Sequence, residues 1–206
     1  MVSTIFLVRH AEAEANINET YDGWHDTALT PLGLQQATAL KKRMDHEKIG
    51  KVFCSDLRRA KQTLELLELQ CPVDFSKALR ERSYGKLEGT RWNDDPLKKK
   101  HHMDPCARPP DGESPEDVQK RVWNFFEQEV FCAEEEKVLV LSHHTPLVVF
   151  ACKFLDMPLQ RWRAFKLGNA SLSILVYEDG LWRITLWNSM SALGLQNYGP
   201  LLAKKK

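Results

Sequence analysis

Two nearly uniform apolar runs mark the chain, Thr4 to Val8 (TIFLV) and Val138 to Leu141 (VLVL). Runs without polar alternation suit strands covered on both faces, so both predict central strands of a parallel sheet. Val52-Phe53-Cys54 is a third, shorter candidate. Elsewhere the apolar spacing changes to threes and fours. Gly33, Ala37, Leu40 and Met44 form one stripe, Leu57, Ala60, Leu64 and Leu67 a second, and Val118, Val122, Phe125 and Phe126 a third. Each predicts a helix with one buried face. Thr30-Pro31 supplies an N-cap and a first-turn proline for the first stripe, and Ser114-Pro115-Glu116-Asp117 does the same for the third, with acids in the first turn. Near the end, Ser171 to Tyr177 and Leu181 to Trp187 flank Glu178-Asp179-Gly180, a hairpin signal. Strands alternating with helices predict an α/β sandwich, the hairpin adding an antiparallel component.

The rhythm lapses between Gly85 and Gly112, where prolines and lysines replace apolar periodicity. That stretch exceeds the ~12–15 residues of a plain connection, which favours a lid or binding loop over a solvated surface insertion. Asn93-Asp94-Asp95-Pro96 could cap a short helix running through Lys98-Lys99-Lys100.

At 206 residues the chain suits one large α/β domain. A net charge of +1 recommends neither nucleic acid nor an anionic membrane as partner. The terminal Lys204-Lys205-Lys206 reads as a solvated, frayed end. Cys54, Cys71, Cys106, Cys132 and Cys152 are odd in number and contain no C-x-x-C pair, which argues against a disulfide framework or a zinc site. MVSTIFLVRH has no basic n-region and too short an apolar run for a signal peptide, and no stretch approaches the ~20 apolar residues of a membrane span. A reduced, cytoplasmic protein is expected.

The strands share one peculiarity. The first ends in Arg9-His10, VLVL ends in Ser142-His143-His144, and VFC runs into Ser55-Asp56-Leu57-Arg58-Arg59. In an open α/β sheet, ligands bind outside the carboxyl ends of the strands, where helix N-termini also favour anions. A lone histidine after a strand is more often structural; three strand ends carrying imidazole or guanidinium describe a phosphate site.

Those residues carry a resemblance. Arg9-His10-Ala11-Glu12 with Asn16 resembles the R-H-G-E-T-x-x-N signature of the histidine phosphatase superfamily, in its phosphoglycerate-mutase-like branch. Four further motifs follow in the family's order: Tyr21 to Gly33 (YDGWHDTALTPLG), SDLRRAKQT at 55–63, LRERSYGKLEG at 79–89, and GES at 112–114 with VLSHHTP at 140–146. The resemblance implies a three-layer α/β/α sandwich with a mostly parallel mixed sheet, as one catalytic domain over residues 1–206 with a lid-like insertion at about 86–113. It implies hydrolysis of a small phosphorylated metabolite through a phosphohistidine on His10. Arg9, Arg59 and His143 would surround the phosphoryl oxygens, and Glu81 would be the general acid. The motif register selects Arg59 over Arg58, a choice that periodicity leaves open. Asn16, Gly23, His144 and Arg108 are expected to touch substrate. No cofactor and no metal is expected, since the arginines supply the charge a magnesium ion would bring and neither His101-His102 nor His143-His144 has chelating spacing.

Several positions depart from the family pattern: Ala11 for glycine, Ala13 for threonine or serine, Asp56 for proline and His144 for glycine. None removes a charged catalytic group. Family mutases carry paired arginines before a Pro-Pro step, whereas Cys106-Ala107-Arg108-Pro109-Pro110 has one, which favours a phosphatase over a mutase or bisphosphatase. Lys86, Lys98, Lys99, Lys100 and Arg108 remain candidates for a second acidic group on the substrate. A non-catalytic phosphate-binding module is the reading from another class, disfavoured by the intact set Arg9, His10, Arg59, Glu81 and His143.

Overall fold

The computed structural model describes residues 1–190; the lysine run at the C-terminus lies outside them. Six strands form one sheet in the order β3-β2-β4-β1-β5-β6: β1 (Thr4–Arg9), β2 (Lys51–Ser55), β3 (Val73–Ser76), β4 (Lys137–Ser142), β5 (Leu172–Glu178) and β6 (Leu181–Ser189). β1 and β4 run parallel with Arg9 opposite Ser142, and β2 runs parallel to both β4 and β3. β5 pairs antiparallel with β1 and with β6, so the predicted hairpin closes one edge.

The uniform apolar runs follow from burial on two faces. Ile5 and Leu7 of β1, with Val138 and Val140 of β4, pack into one core beside α5 (Pro115–Phe125) and α6 (His144–Phe154). Phe6 and Val8, with Leu139 and Leu141, pack into the other beside α2 (Pro31–Met44) and α3 (Arg58–Leu67). Successive strand residues point to opposite faces, so both faces need apolar side chains. The expected α/β/α layering is present.

Capping follows the sequence signals. Thr30 Oγ1 accepts from Gly33 N–H ahead of α2, and Ser114 Oγ accepts from Asp117 N–H while the Asp117 carboxylate accepts from Ser114 N–H ahead of α5. Two elements carry no such signature. β3 is a four-residue edge strand with Phe75 exposed, too short for a pattern. α6 is buried on nearly every side, from Thr145 to Cys152, so its apolar residues make no stripe.

The insertion is pinned rather than loose. A short helix, α4 (Lys98–Met103), occupies the expected place, its entry held by Asp95 Oδ1 accepting from Leu97 N–H. The buried Arg82 guanidinium donates to the backbone carbonyls of Glu113, His101 and Ala107, fastening three points of the loop. Asp95 Oδ2 accepts from the Tyr21 hydroxyl (2.9 Å) and meets His101 Nδ1 (2.8 Å), joining α4 to the loop after α1 (Glu14–Asn18). At the insertion's root Gly85 has φ +53°, and a Cβ there would strike the Pro110 carbonyl. No helix among the described residues is long and apolar enough to cross a membrane.

Candidate active site

His10 is the first residue beyond β1. Its backbone N–H donates to Ser142 O of β4, and its carbonyl accepts from Ala170 N–H in the turn before β5, so both sides of the sheet's rim fix it. The side chain is buried, 3% exposed, with Nδ1 2.7 Å from the carbonyl oxygen of Ala11. A carbonyl can only accept, so Nδ1 carries the proton and Nε2 holds a free lone pair. Burial, then the cations of Arg59 and Arg9, push the imidazole pKa well below its ordinary value. The ring is neutral at pH 7, the form a nucleophile requires.

Two guanidinium groups flank it. Arg59, on the first turn of α3, is 1% exposed and donates from Nη2 to Gly23 O (2.8 Å) and from Nη1 to His25 O (3.0 Å), and it pairs with Asp22 (3.1 Å). Arg9 donates from Nη1 to Leu167 O (2.6 Å), while its buried Nε has no hydrogen-bond partner among the described residues. Burial lowers the Arg9 pKa to about 10, Glu81 opposing and Arg59 adding to the shift. Arg58 turns the other way: its backbone N–H donates to Asp26, and its side chain lines a separate hollow of about 360 Å³ along α3 that holds charges of both signs and no imidazole. Geometry thus brings Arg59, and not Arg58, to His10.

His143, the N-cap of α6, lies with its ring centroid 4.9 Å from that of His10. Arg59 Nε donates to its Nδ1 (3.3 Å), which leaves the proton on Nε2, donated to Ser55 Oγ (2.8 Å). Both nitrogens are engaged by protein groups, and His143 is not among the residues that line the cavity beside His10. Burial, and next the Arg59 charge, keep it neutral.

The cavity itself, about 240 Å³, is lined by Arg9, His10, Asn16, Gly23, Arg59, Glu81 and His144, and also by Asp22, Tyr84, Trp92, His102 and Arg163. Glu81 Oε1 accepts from Arg82 N–H (2.7 Å) and Thr145 N–H (3.2 Å), which fixes the carboxylate at the N-terminus of α6. Asp22 and Glu81 are the carboxylates on this wall, and Asp22 is taken by Arg59. Glu12 instead accepts from Thr30, and Glu88 accepts from Trp24 and Tyr84 N–H in the loop. Gly23 has φ +45°, and a Cβ there would meet the Glu88 carboxylate, so glycine alone keeps its carbonyl on Arg59.

Of the expected substrate contacts, Asn16, Gly23 and His144 reach the cavity. Arg108 does not: its guanidinium pairs with Asp117 on α5 at 2.7 Å, attracted to the acidic first turn of that helix. Lys86 pairs with Asp111 and Lys98 with Asn93, and Lys99 and Lys100 do not line the cavity either. Sequence reasoning missed Ser55 and Asn169. Asn169 Nδ2 bridges His10 O (3.3 Å) and Asn16 Oδ1 (3.1 Å). It precedes β5, and an antiparallel strand starts at the rim where the parallel ones end; that rule would have found it. Arg163, from the 3-10 segment Leu159–Ala164, left no sequence signal.

The pairing of a neutral imidazole with two arginines at the carboxyl edge of the parallel strands agrees with a profile match over residues 5–190, to the histidine phosphatase superfamily (branch 1). The chain belongs to this superfamily. The Escherichia coli protein named probable phosphoglycerate mutase GpmB is 31% identical over 192 residues, covering 89% of each chain. Among solved structures, Bacillus stearothermophilus YhfR superposes with a TM-score of 0.85 at 27% identity, covering 92% of this chain and 98% of that one. The mycobacterial glucosyl-3-phosphoglycerate phosphatase solved with VO3 gives 0.79 at 28%, covering 91% and 100%. In this member of the superfamily the five ordered motifs converge on one cavity at the carboxyl edge of the sheet.

Proposed function

We infer that the chain is a metal-independent phosphomonoesterase acting on a small phosphorylated metabolite, a single catalytic domain in which segment 86–113 serves as a lid. The observation that carries this is the unprotonated His10 Nε2 in a cavity between Arg9 and Arg59, with the Glu81 carboxyl group on the same wall. In the first step His10 Nε2 forms a bond to phosphorus as the ester P–O bond breaks, and protonated Glu81 delivers its proton to the departing alkoxide. Water then attacks phosphorus, the Glu81 carboxylate takes its proton, and the P–N bond breaks to restore neutral His10. Arg9 and Arg59 hold the charge that builds on the phosphoryl oxygens, the role a divalent ion would otherwise fill. Asn16 and Gly23 position the phosphate, His144 borders the leaving group, and His143 keeps Arg59 in register. Five free cysteines, two of them buried, suit the reducing cytoplasm.

Hydrolysis is favoured over mutase chemistry by the cation count. A mutase must retain a bisphosphate while it reorients, and outside the clamp the lining offers Arg163 as its cation. The phosphatases of known structure among the relatives support the same choice, while the GpmB relatives' name keeps phosphoglycerate in any panel. The test is release of inorganic phosphate from phosphorylated metabolites, together with alkaline quenching of wild type and His10→Ala after exposure to labelled substrate. Base-stable, acid-labile label in wild type alone is expected; label that persists in the alanine variant would refute the nucleophile.

A further inference from the structure

Besides the phosphate clamp, the cavity is lined by Tyr84 and, from the insertion, by Trp92 and His102. Arg163 reaches the same cavity from the segment Leu159–Ala164, its guanidinium 5.1 Å over the Trp162 ring. It is exposed and makes no ion pair with a carboxylate among the described residues. It lines the cavity together with Tyr84, His102 and His144. Burial, with Arg163 and Lys98 behind it, lowers the His102 pKa to about 4, and burial with Arg9 and Arg163 lowers that of His144 to about 3. Both imidazoles are uncharged at neutral pH.

The charges of the phosphate clamp already have owners: Arg59 pairs with Asp22, and Arg9 lies in the field of Glu81. Arg163 has none. We propose that Arg163 is a specificity-determining residue, receiving one carboxylate carried on the leaving group while Tyr84, Trp92 and His102 cover the body of that group. The assignment rests on the phosphate lying at Arg9, His10 and Arg59. A guanidinium fork matches a carboxylate with two parallel hydrogen bonds. A second phosphate, as a dianion, calls for a further cation, and the flanking imidazoles are neutral while the insertion's lysines lie outside the cavity. The wall suits a flat or ring-bearing body, because aromatic faces bind such groups by stacking.

The test uses the full-length chain and phosphonates, whose C–P bond the proposed chemistry cannot cleave. Calorimetry compares (4-carboxybenzyl)phosphonate with (4-carbamoylbenzyl)phosphonate, which differ in one charge and hardly in shape. A preference of about 2–5-fold for the carboxylate is expected, the scale of one exposed ion pair. Arg163→Gln should abolish the preference and Arg163→Lys retain part of it, whereas a residue that merely packs on Trp162 would weaken both compounds alike. No preference in wild type, an undiminished preference in Arg163→Gln, or binding of neither compound overturns the assignment. Tighter binding of the bisphosphonate 1,4-xylylenediphosphonate than of the carboxylate would also overturn it. Phosphate release is scored separately: a binding preference without turnover refutes the phosphatase reading alone, and turnover without a preference refutes the subsite alone.

Discussion

Glutamine at position 81 would leave the shape of the site and take away its proton. Glu81 Oε1 accepts from Arg82 N–H at 2.7 Å and Thr145 N–H at 3.2 Å, and a glutamine carbonyl in that place accepts both. The amide nitrogen then replaces Oε2, which is 3.3 Å from the Thr145 nitrogen. That donor–donor contact is long and one-sided, so the expected destabilisation is about 1 kcal/mol, a drop of roughly 2–4 °C in Tm for a domain of this size. Turnover should respond far more. General acid catalysis is worth about 10²–10⁴ in rate, equivalent to roughly 2.7–5.5 kcal/mol in the barrier. An alkyl phosphate should lose that whole factor in the phosphorylation step. A p-nitrophenyl ester should lose little there, because its leaving group departs without a proton. Single-turnover quenched-flow kinetics isolate this step from hydrolysis of the phosphoenzyme, for which Glu81 is the proposed base. An equal fall for both esters would refute Glu81 as the acid.

Other expectations follow from the same geometry. Strong chelators should leave turnover unchanged and vanadate should inhibit; activity lost to a chelator and restored by a divalent ion would refute clamping by arginines alone. His10, His143 and His144 have folded pKa values below the ~6.5 of the unfolded chain, that of His144 at about 3. Above pH 6.5 both states are neutral and stability is unaffected. As pH falls from 6.5 toward 3 the unfolded chain binds protons the folded one refuses, so each residue removes up to ~1.4 kcal/mol per pH unit. Urea midpoints at pH 7, 6 and 5 should decline accordingly, and a flat series would contradict buried neutral imidazoles. Arg82→Met should strip three carbonyls of their donor and destabilise the fold by on the order of 3–5 kcal/mol. Limited proteolysis should then cut first within 86–113, and an unchanged Tm would mean the insertion holds itself.

The sequence by itself determined the layers and the rim. Two-faced burial demands uniform apolar strands, so TIFLV and VLVL declared a central parallel sheet, and chain direction alone sent Arg9-His10 and Ser142-His143-His144 to one edge. The motif register then separated Arg59 from Arg58. Which groups face the ligand was decided only in three dimensions. His143 is held between Arg59 and Ser55, which occupy both its nitrogens, a pairing across residues far apart in the chain. Arg108, Lys86 and Lys98 carry the right charge, but nearby carboxylates and an amide capture them before the cavity can. Arg163 enters from a short 3-10 segment with no periodic signal and is set there by its packing on Trp162. Local pattern reports which face of an element is buried. Which charge finds which partner is a contest among all groups within a few ångströms, and only the folded chain sets those distances.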